Sequence, residues 1–235
     1  LLLSGTLGRI ALDASLADSL ELLVVCENFD LAAAASLAPA GVVTQAVAPR
    51  GMLDGRIHAW GALASPELDA EVSVRELGVG EIDVGDLSCD VETVGADILY
   101  TLDVDAVAGG SLRSNGMVPL LRDSSGVTGF DPSRDFGVSV VCSTFTIDGG
   151  RWLLPEVRGH KSISIDGSAL LSGRADSLAS LSGAGSFDGL EMSFETLAFR
   201  LTRPAALAVT GGGARVDSLR VAVFRRRVLG ERSGG

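Results

Sequence analysis

The sequence is poor in rings. Aromatic side chains make up only 5% of it, with a single Tyr, although 46% is hydrophobic. A core filled by stacked aromatics is thereby excluded; the apolar content is small and aliphatic, which suits strands forming a smooth surface. Histidine is scarce as well: His58 and His160 stand alone, neither near a second ligand in the chain, so neither carries a metal or general-base role. Cys26, Cys89 and Cys142 are odd in number, far apart and in no C-x-x-C spacing. They specify neither a zinc site nor a disulfide framework, and read as small buried hydrophobes.

Long apolar runs are missing too. A membrane-spanning helix needs about 20 apolar residues, and the longest candidate, Leu31 to Val47, is broken by Pro39 and Gly41. Nor is there a phosphate-cradling or nucleophile motif. Gly185-Ser186-Phe187-Asp188-Gly189 lacks the spacing of a nucleophile elbow, Gly183-Ala184-Gly185 lacks the third glycine of a dinucleotide loop, and Gly211-Gly212-Gly213 lacks the Lys-Ser or Lys-Thr that would follow in a P-loop. No catalytic residue, cofactor or metal is expected, and the chain reads as a non-enzyme. Positive charge is also short, at 19 Lys and Arg against 30 Asp and Glu, a net charge of -11. That balance argues against nucleic acid and anionic lipid surfaces as electrostatic partners. The one basic cluster, Arg225-Arg226-Arg227, reads as a solvated terminus.

What is present is alternation. Leu68 to Val74 puts apolar residues at 68, 70, 72 and 74 and polar ones between, the period of a strand with one dry face. After Glu76 the apolar phase slips to Leu77 and Val79, slips again to Ile82 and Val84, and returns in Ile98, Tyr100, Leu102 and Val104. Each slip is expected to be a turn or a bulge, because one inserted residue exchanges the faces of everything after it. The stretch from Gly51 to Ala108 therefore reads as four short strands in an antiparallel meander. Upstream, Leu7–Leu16 and Leu20–Val24 read as a first hairpin. Asp30 then caps a short helix from Leu31 to Ala38, and a further helical turn is expected over Gly41–Ala48.

Downstream, Ser111 to Val118 reads as a strand and 119–135 as a loop rich in Ser, Gly and Asp. Strands follow at Val138–Ile147, with a shift before Phe145, then at Trp152–Pro155, Ile163–Ile165, Leu190–Glu195, Leu197–Leu201, Leu207–Val209 and Val216–Phe224. This gives a first sheet segment, 1–118, with a helical insertion near 31–48; a loop, 119–135; a second segment, 136–224, continuous with the first; and a frayed tail, 225–235. Twelve to fifteen short strands cannot form a flat open sheet. The fold class expected is mainly β, an elongated, curled antiparallel sheet with an apolar lumen. Its wet face carries Asp69, Glu71, Arg75, Asp103, Asp105, Glu191, Glu195 and Arg200.

The run from Gly51 to Ala70, with its strand, its second glycine and the Leu63-Ala64-Ser65-Pro66 turn, resembles the recurring unit of TamB-like proteins of the AsmA-like family of bridge-type lipid transporters. Leu31 to Pro49 stands where that unit has its preceding short helix. Gly116-Met117-Val118-Pro119 is similar to the close of such a unit, and Leu190 to Val223 looks like the family's other recurrent pattern. The resemblance implies a β-taco with a greasy groove that conducts phospholipids across the periplasm between inner and outer membranes. It also implies a parent protein anchored in the inner membrane of a diderm bacterium, phospholipid acyl chains as cargo, and an outer-membrane assembly protein as a partner, with membrane contact made outside this chain. The opening Leu1-Leu2-Leu3-Ser4-Gly5 reads as if already inside a strand, so an excerpt of a longer protein is expected.

On this reading the groove is lined by Val72, Val74, Ile98, Tyr100, Leu102, Val104, Val138, Val140, Ile163, Ile165, Met192, Phe194, Leu197, Phe199, Leu219, Val221 and Val223. The same alternation is compatible with a structural or adhesive β-repeat module whose dry face is a filled core. A polysaccharide-acting solenoid enzyme is a third reading, and it is disfavoured by the shortage of rings.

Overall fold

The structure is a computed structural model, and it describes residues 2–5, 8–16, 19–36, 48–62, 65–123, 126–149, 161–194 and 197–225. β1 (Leu2–Gly5) pairs with β2 (Gly8–Leu16), which forms the expected first hairpin with β3 (Ser19–Asp30). Helix α1 (Leu31–Ser36) follows directly, with Asp30 Oδ1 accepting from the Ala32 and Ala33 N–H groups at 2.9 and 3.1 Å. That is the cap the sequence calls for. The meander is β4 (Pro49–Ala62), β5 (Ser65–Val79), β6 (Ile82–Val94) and β7 (Asp97–Ala106), and β8 (Ser111–Asp123) and β9 (Gly126–Phe130) come next. The second half comprises β10 (Asp135–Gly149), β11 (Lys161–Arg174), β12 (Ser182–Ser193), β13 (Leu197–Leu201), β14 (Ala205–Thr210), β15 (Gly213–Asp217) and β16 (Val221–Arg225).

All sixteen strands join one open, curled antiparallel sheet in nearly sequential order, with β10 paired directly to β8. β12 is shared: its first half pairs with β14 and its last residues with β13, so the sheet ends in two tongues, β14–β15 and β13–β16.

Several expectations need correction. The meander has four strands, but they are 10 to 15 residues long rather than short. Residues 119–135 are not a loop: β8 runs on to Asp123 and turns back through β9. Val216–Phe224 is not one strand. Ser218, at φ 63°, breaks it, leaving Val216 in β15 on one tongue and Val221–Phe224 in β16 on the other. The helical turn expected before Ala48, the strand at Trp152–Pro155, His160 and the tail 226–235 lie outside the described residues.

The slip from Val79 to Ile82 is the turn between β5 and β6, whereas those after Glu76 and before Phe145 are bulges. Non-glycine residues in the left-handed region stand at Asn28 in β3, Glu76 in β5 and Thr144 in β10, each where the register shifts: Cys26/Phe29, Val74/Leu77 and Cys142/Phe145. Phe29, Val74 and Cys142 belong to one cross-strand row, so the three bulges lie along a single crease running across the sheet. A bulge adds local twist and bends its strand, and a line of bulges bends the whole sheet. The freed donors are satisfied from the next strand. Asn28 N–H donates to Asp54 Oδ1 at 2.7 Å and Glu76 N–H to Asp86 Oδ1 at 2.8 Å, while Arg75 bridges Asn28 Oδ1 and Asp54 Oδ2 at 2.7 and 3.0 Å.

The Asn28 hydrogen bond, more than the nearby Arg75, holds the Asp54 carboxyl below its ordinary value of 3.8. A carboxylate whose folded pKa is depressed contributes stability that is full above its unfolded pKa and lost as pH falls through the folded one. Asp54→Asn is therefore expected to lower the urea midpoint at pH 7, and the gap to the parent chain should close as the pH drops below about 4. A gap that persisted unchanged at pH 3 would mean the carboxylate charge is not what matters there.

Past the crease the sheet narrows. β7 and β8 stop there, and their connection is pinned between β6 and β10, with Val107 N–H donating to Val84 O at 3.1 Å and Thr146 N–H to Gly109 O at 3.0 Å. β6 and β10 come into contact beyond it.

Candidate functional site

Directly opposed residues of an antiparallel pair project to the same face, so the register assigns faces across the whole sheet. One row reads Cys26, Gly55, Val72, Cys89, Leu102, Ser114, Val140, Ala169, Gly185, Leu207. The next reads Phe29, Leu53, Val74, Leu87, Val104, Leu112, Cys142, Gly167, Phe187, Ala205. A third runs Val24, Ile57, Ala70, Val91, Tyr100, Gly116, Val138, Leu171, Gly183, Val209. No charge interrupts these three rows over ten strands.

The face turns inward. The buried hydrophobic residues Ala70, Val74, Val104, Phe145, Leu201 and Ala205 all belong to it. Beyond the crease it continues through Ile147, Ile163, Met192, Phe199 and Val223, directly opposed in turn, with Phe145, Ile165 and Leu190 beside them. Phe194, just after β12, packs edge-on against Phe199, with centroids 5.6 Å apart.

Of the residues expected to line the groove, Val72, Val74, Tyr100, Leu102, Val104, Val138 and Val140 fall in the first three rows, and Ile98 lies next along β7, opposite Val118. Ile163, Ile165, Met192, Phe199, Val221 and Val223 fall in the rows beyond the crease, and Leu197 stands opposite Arg225. Leu219 is placed elsewhere: it sits between β15 and β16, outside any strand and 57% exposed. At the C-terminal tongue Val221 and Val223 are 45% and 58% exposed, so the apolar face is open there.

The sequence reading missed the glycines of this face. Gly55, Gly116, Gly183 and Gly185 all stand in its rows, with Gly167. At Gly116 an added Cβ would lie 2.7 Å from the Tyr100 ring, which crosses the space a side chain would fill. Tyr100 hydroxyl lies 3.2 Å from Ser114 Oγ, which satisfies the two polar groups of this stretch. The three cysteines are free thiols of the same face, and burial raises the pKa of each, so they stay protonated.

No protein-family model, curated protein or solved structure matches this chain.

The opposite face is charged on β4 to β8 and again where β12 meets β13. It carries ion pairs directly across the ladder, Arg113–Asp103 at 2.5 Å and Arg200–Glu191 at 2.7 Å, and Arg75–Asp54 at 3.0 Å. It also sets like charges opposite each other: Asp69 against Glu92, Glu71 against Asp90, Asp86 against Asp105. Such pairs are unfavourable and tolerable only where water screens them. His58 stacks on Trp60 at 4.5 Å and meets Glu21 at 2.7 Å on this outer side. Among the described residues no group of His, Cys, Asp and Glu is placed to hold a metal ion, and no helix is long and apolar enough to cross a membrane.

Proposed function

We propose that this chain is a non-enzymatic segment of a lipid-conducting protein, its inner face forming part of a groove along which phospholipid acyl chains pass between the inner and outer membranes of a diderm cell envelope. The observation that carries the reading is three charge-free, mainly apolar rows over ten strands, with every ion pair of the central strands on the other face. Moving a two-chain lipid through water exposes about 30 methylenes at about 0.8 kcal/mol each, on the order of 24 kcal/mol. A continuous dry surface removes most of that barrier. It must be smooth, because a ring-lined pocket would hold one lipid in place, and walls of Val, Leu, Ala and Gly meet that need. The likeness of Gly51–Ala70 to the TamB-like unit supports the same reading and the periplasmic location.

A second reading has its own observation. Val74 and Val104 are each 6% exposed, as residues of a filled core would be. On that reading the chain is a structural or adhesive module. Lipid extraction separates the two: the purified protein is expected to carry phospholipid in near-stoichiometric amount, and Val138→Asp with Val140→Asp to carry several-fold less. A folded parent chain free of lipid would favour the filled module.

A further inference from the structure

Given the lipid-conducting reading, on which this rests, we propose that the Tyr100–Ser114 hydroxyl pair is a binding site for the ester carbonyl oxygen of an acyl chain lying in the groove. Tyr100 and Ser114 carry the only hydroxyls in the three charge-free rows of the inner face, and they stand on neighbouring strands, β7 and β8. Tyr100 is opposite Gly116, its ring fills the space above that glycine, and its hydroxyl lies 3.2 Å from Ser114 Oγ. Ser114 is 7% exposed, between Leu102 and Val140 in its row.

The contact gives each oxygen a partner but uses only half of the donors. A hydroxyl has one hydrogen to give and can also accept. One bond between two hydroxyls consumes one hydrogen, whichever oxygen supplies it, and the other is left over. Neither side chain makes a further hydrogen bond among the described residues. A donor held on a dry wall without an acceptor costs free energy, so an incoming apolar molecule that brings an oxygen to this point is held there.

The surroundings select the acceptor. The three rows hold no cation, so an ionised phosphate or carboxylate would be unpaired on them at high cost. A plain alkyl chain brings no acceptor. An acyl ester brings a neutral carbonyl oxygen at the end of an apolar chain and matches a single donor. A free fatty acid has the same carbonyl but is ionised at neutral pH, which the charge-free rows disfavour.

Binding of three matched probes to the whole chain tests this: a pyrene-labelled dodecanoate methyl ester, the same probe as its free acid at alkaline pH, and pyrene carrying a plain dodecyl chain. The parent chain is expected to bind the ester about tenfold more tightly than either of the others. Tyr100→Phe and Ser114→Ala each leave one hydroxyl, hence one free donor, and should weaken ester binding by under about threefold. The double variant has no donor. Its ester affinity should fall about tenfold, to that of the dodecyl probe, whose own binding stays unchanged. A pair that serves only packing would move all three probes together. If the dodecyl probe failed to bind the parent chain, the groove itself would fall and the hydroxyl site with it. If dodecyl and ester probes bound the parent equally, if the carboxylate bound more tightly than the ester, or if the double variant kept the ester preference, the hydroxyl site would be overturned and the groove left standing.

Discussion

Replacing Val104 by Asp is expected to abolish cooperative folding or to lower stability by about 4 kcal/mol, whereas Ser139→Asp, on the outer face two strands away, should cost under about 1 kcal/mol. Val104 lies between Leu87 and Leu112 in an all-apolar row and is 6% exposed, so a carboxylate there has neither water nor a cation. It would be buried unpaired or would remain protonated at neutral pH, and either outcome is drawn from a folding free energy of only about 5–15 kcal/mol. Ser139 stands opposite Asn115 and Leu170, where a charge can reach solvent. Urea denaturation of both variants is the check. Equal losses would mean that the two faces do not differ in polarity as the register requires.

Three glycines give the second large effect as a graded series. Gly85 has φ +131° and an added Cβ would fall 1.9 Å from Asp105 O; Gly95 has φ +63° with nothing within 4 Å; Gly137 has no left-handed strain and open space. Gly85→Ala is expected to cost about 3 kcal/mol or more, since backbone carbonyl cannot step aside as a side chain can. Gly95→Ala should cost about 1 kcal/mol, the conformational penalty alone. Gly137→Ala should be neutral or stabilising by about 0.5 kcal/mol, because it restricts only the unfolded chain. If Gly85→Ala were as mild as Gly95→Ala, the close approach of β6 to β7 at the crease would be wrong.

Much of this fold is legible in the sequence because a half-buried strand writes its face assignment directly into residue order. Leu68–Val74 and Ile98–Val104 show their dry faces without ambiguity, and the slips after Glu76 and before Phe145 mark two of the three bulges on the crease. The third, at Asn28, is hidden because Val24-Val25-Cys26 is apolar on both faces and offers no phase to break. β9 is hidden for another reason: Gly126-Val-Thr-Gly-Phe130 is too short and glycine-rich to alternate, and its pairing depends on β8 running past Pro119.

The division of β15 from β16 is likewise a tertiary fact. Val216, Leu219, Val221 and Val223 give no local sign that a left-handed Ser218 sends them to different tongues. The glycines of the inner face could not be found by any rule that looks for apolar side chains. Their role appears only when Tyr100 is seen lying across Gly116.

The most direct test of the inner face is photocrosslinking in cells, with a photoreactive residue placed at Leu102 and at Phe199 on that face, and at Asp103 and Arg200 on the other. Leu102 and Phe199 are half-buried and so reach the space inside the curl, while Arg200 is exposed and Asp103 lies on the outer side with Arg113. Phospholipid adducts from Leu102 and Phe199, with none from Asp103 and Arg200, are the predicted result. Adducts from neither pair in a folded protein would contradict the conduit and leave the inner face as a sealed core.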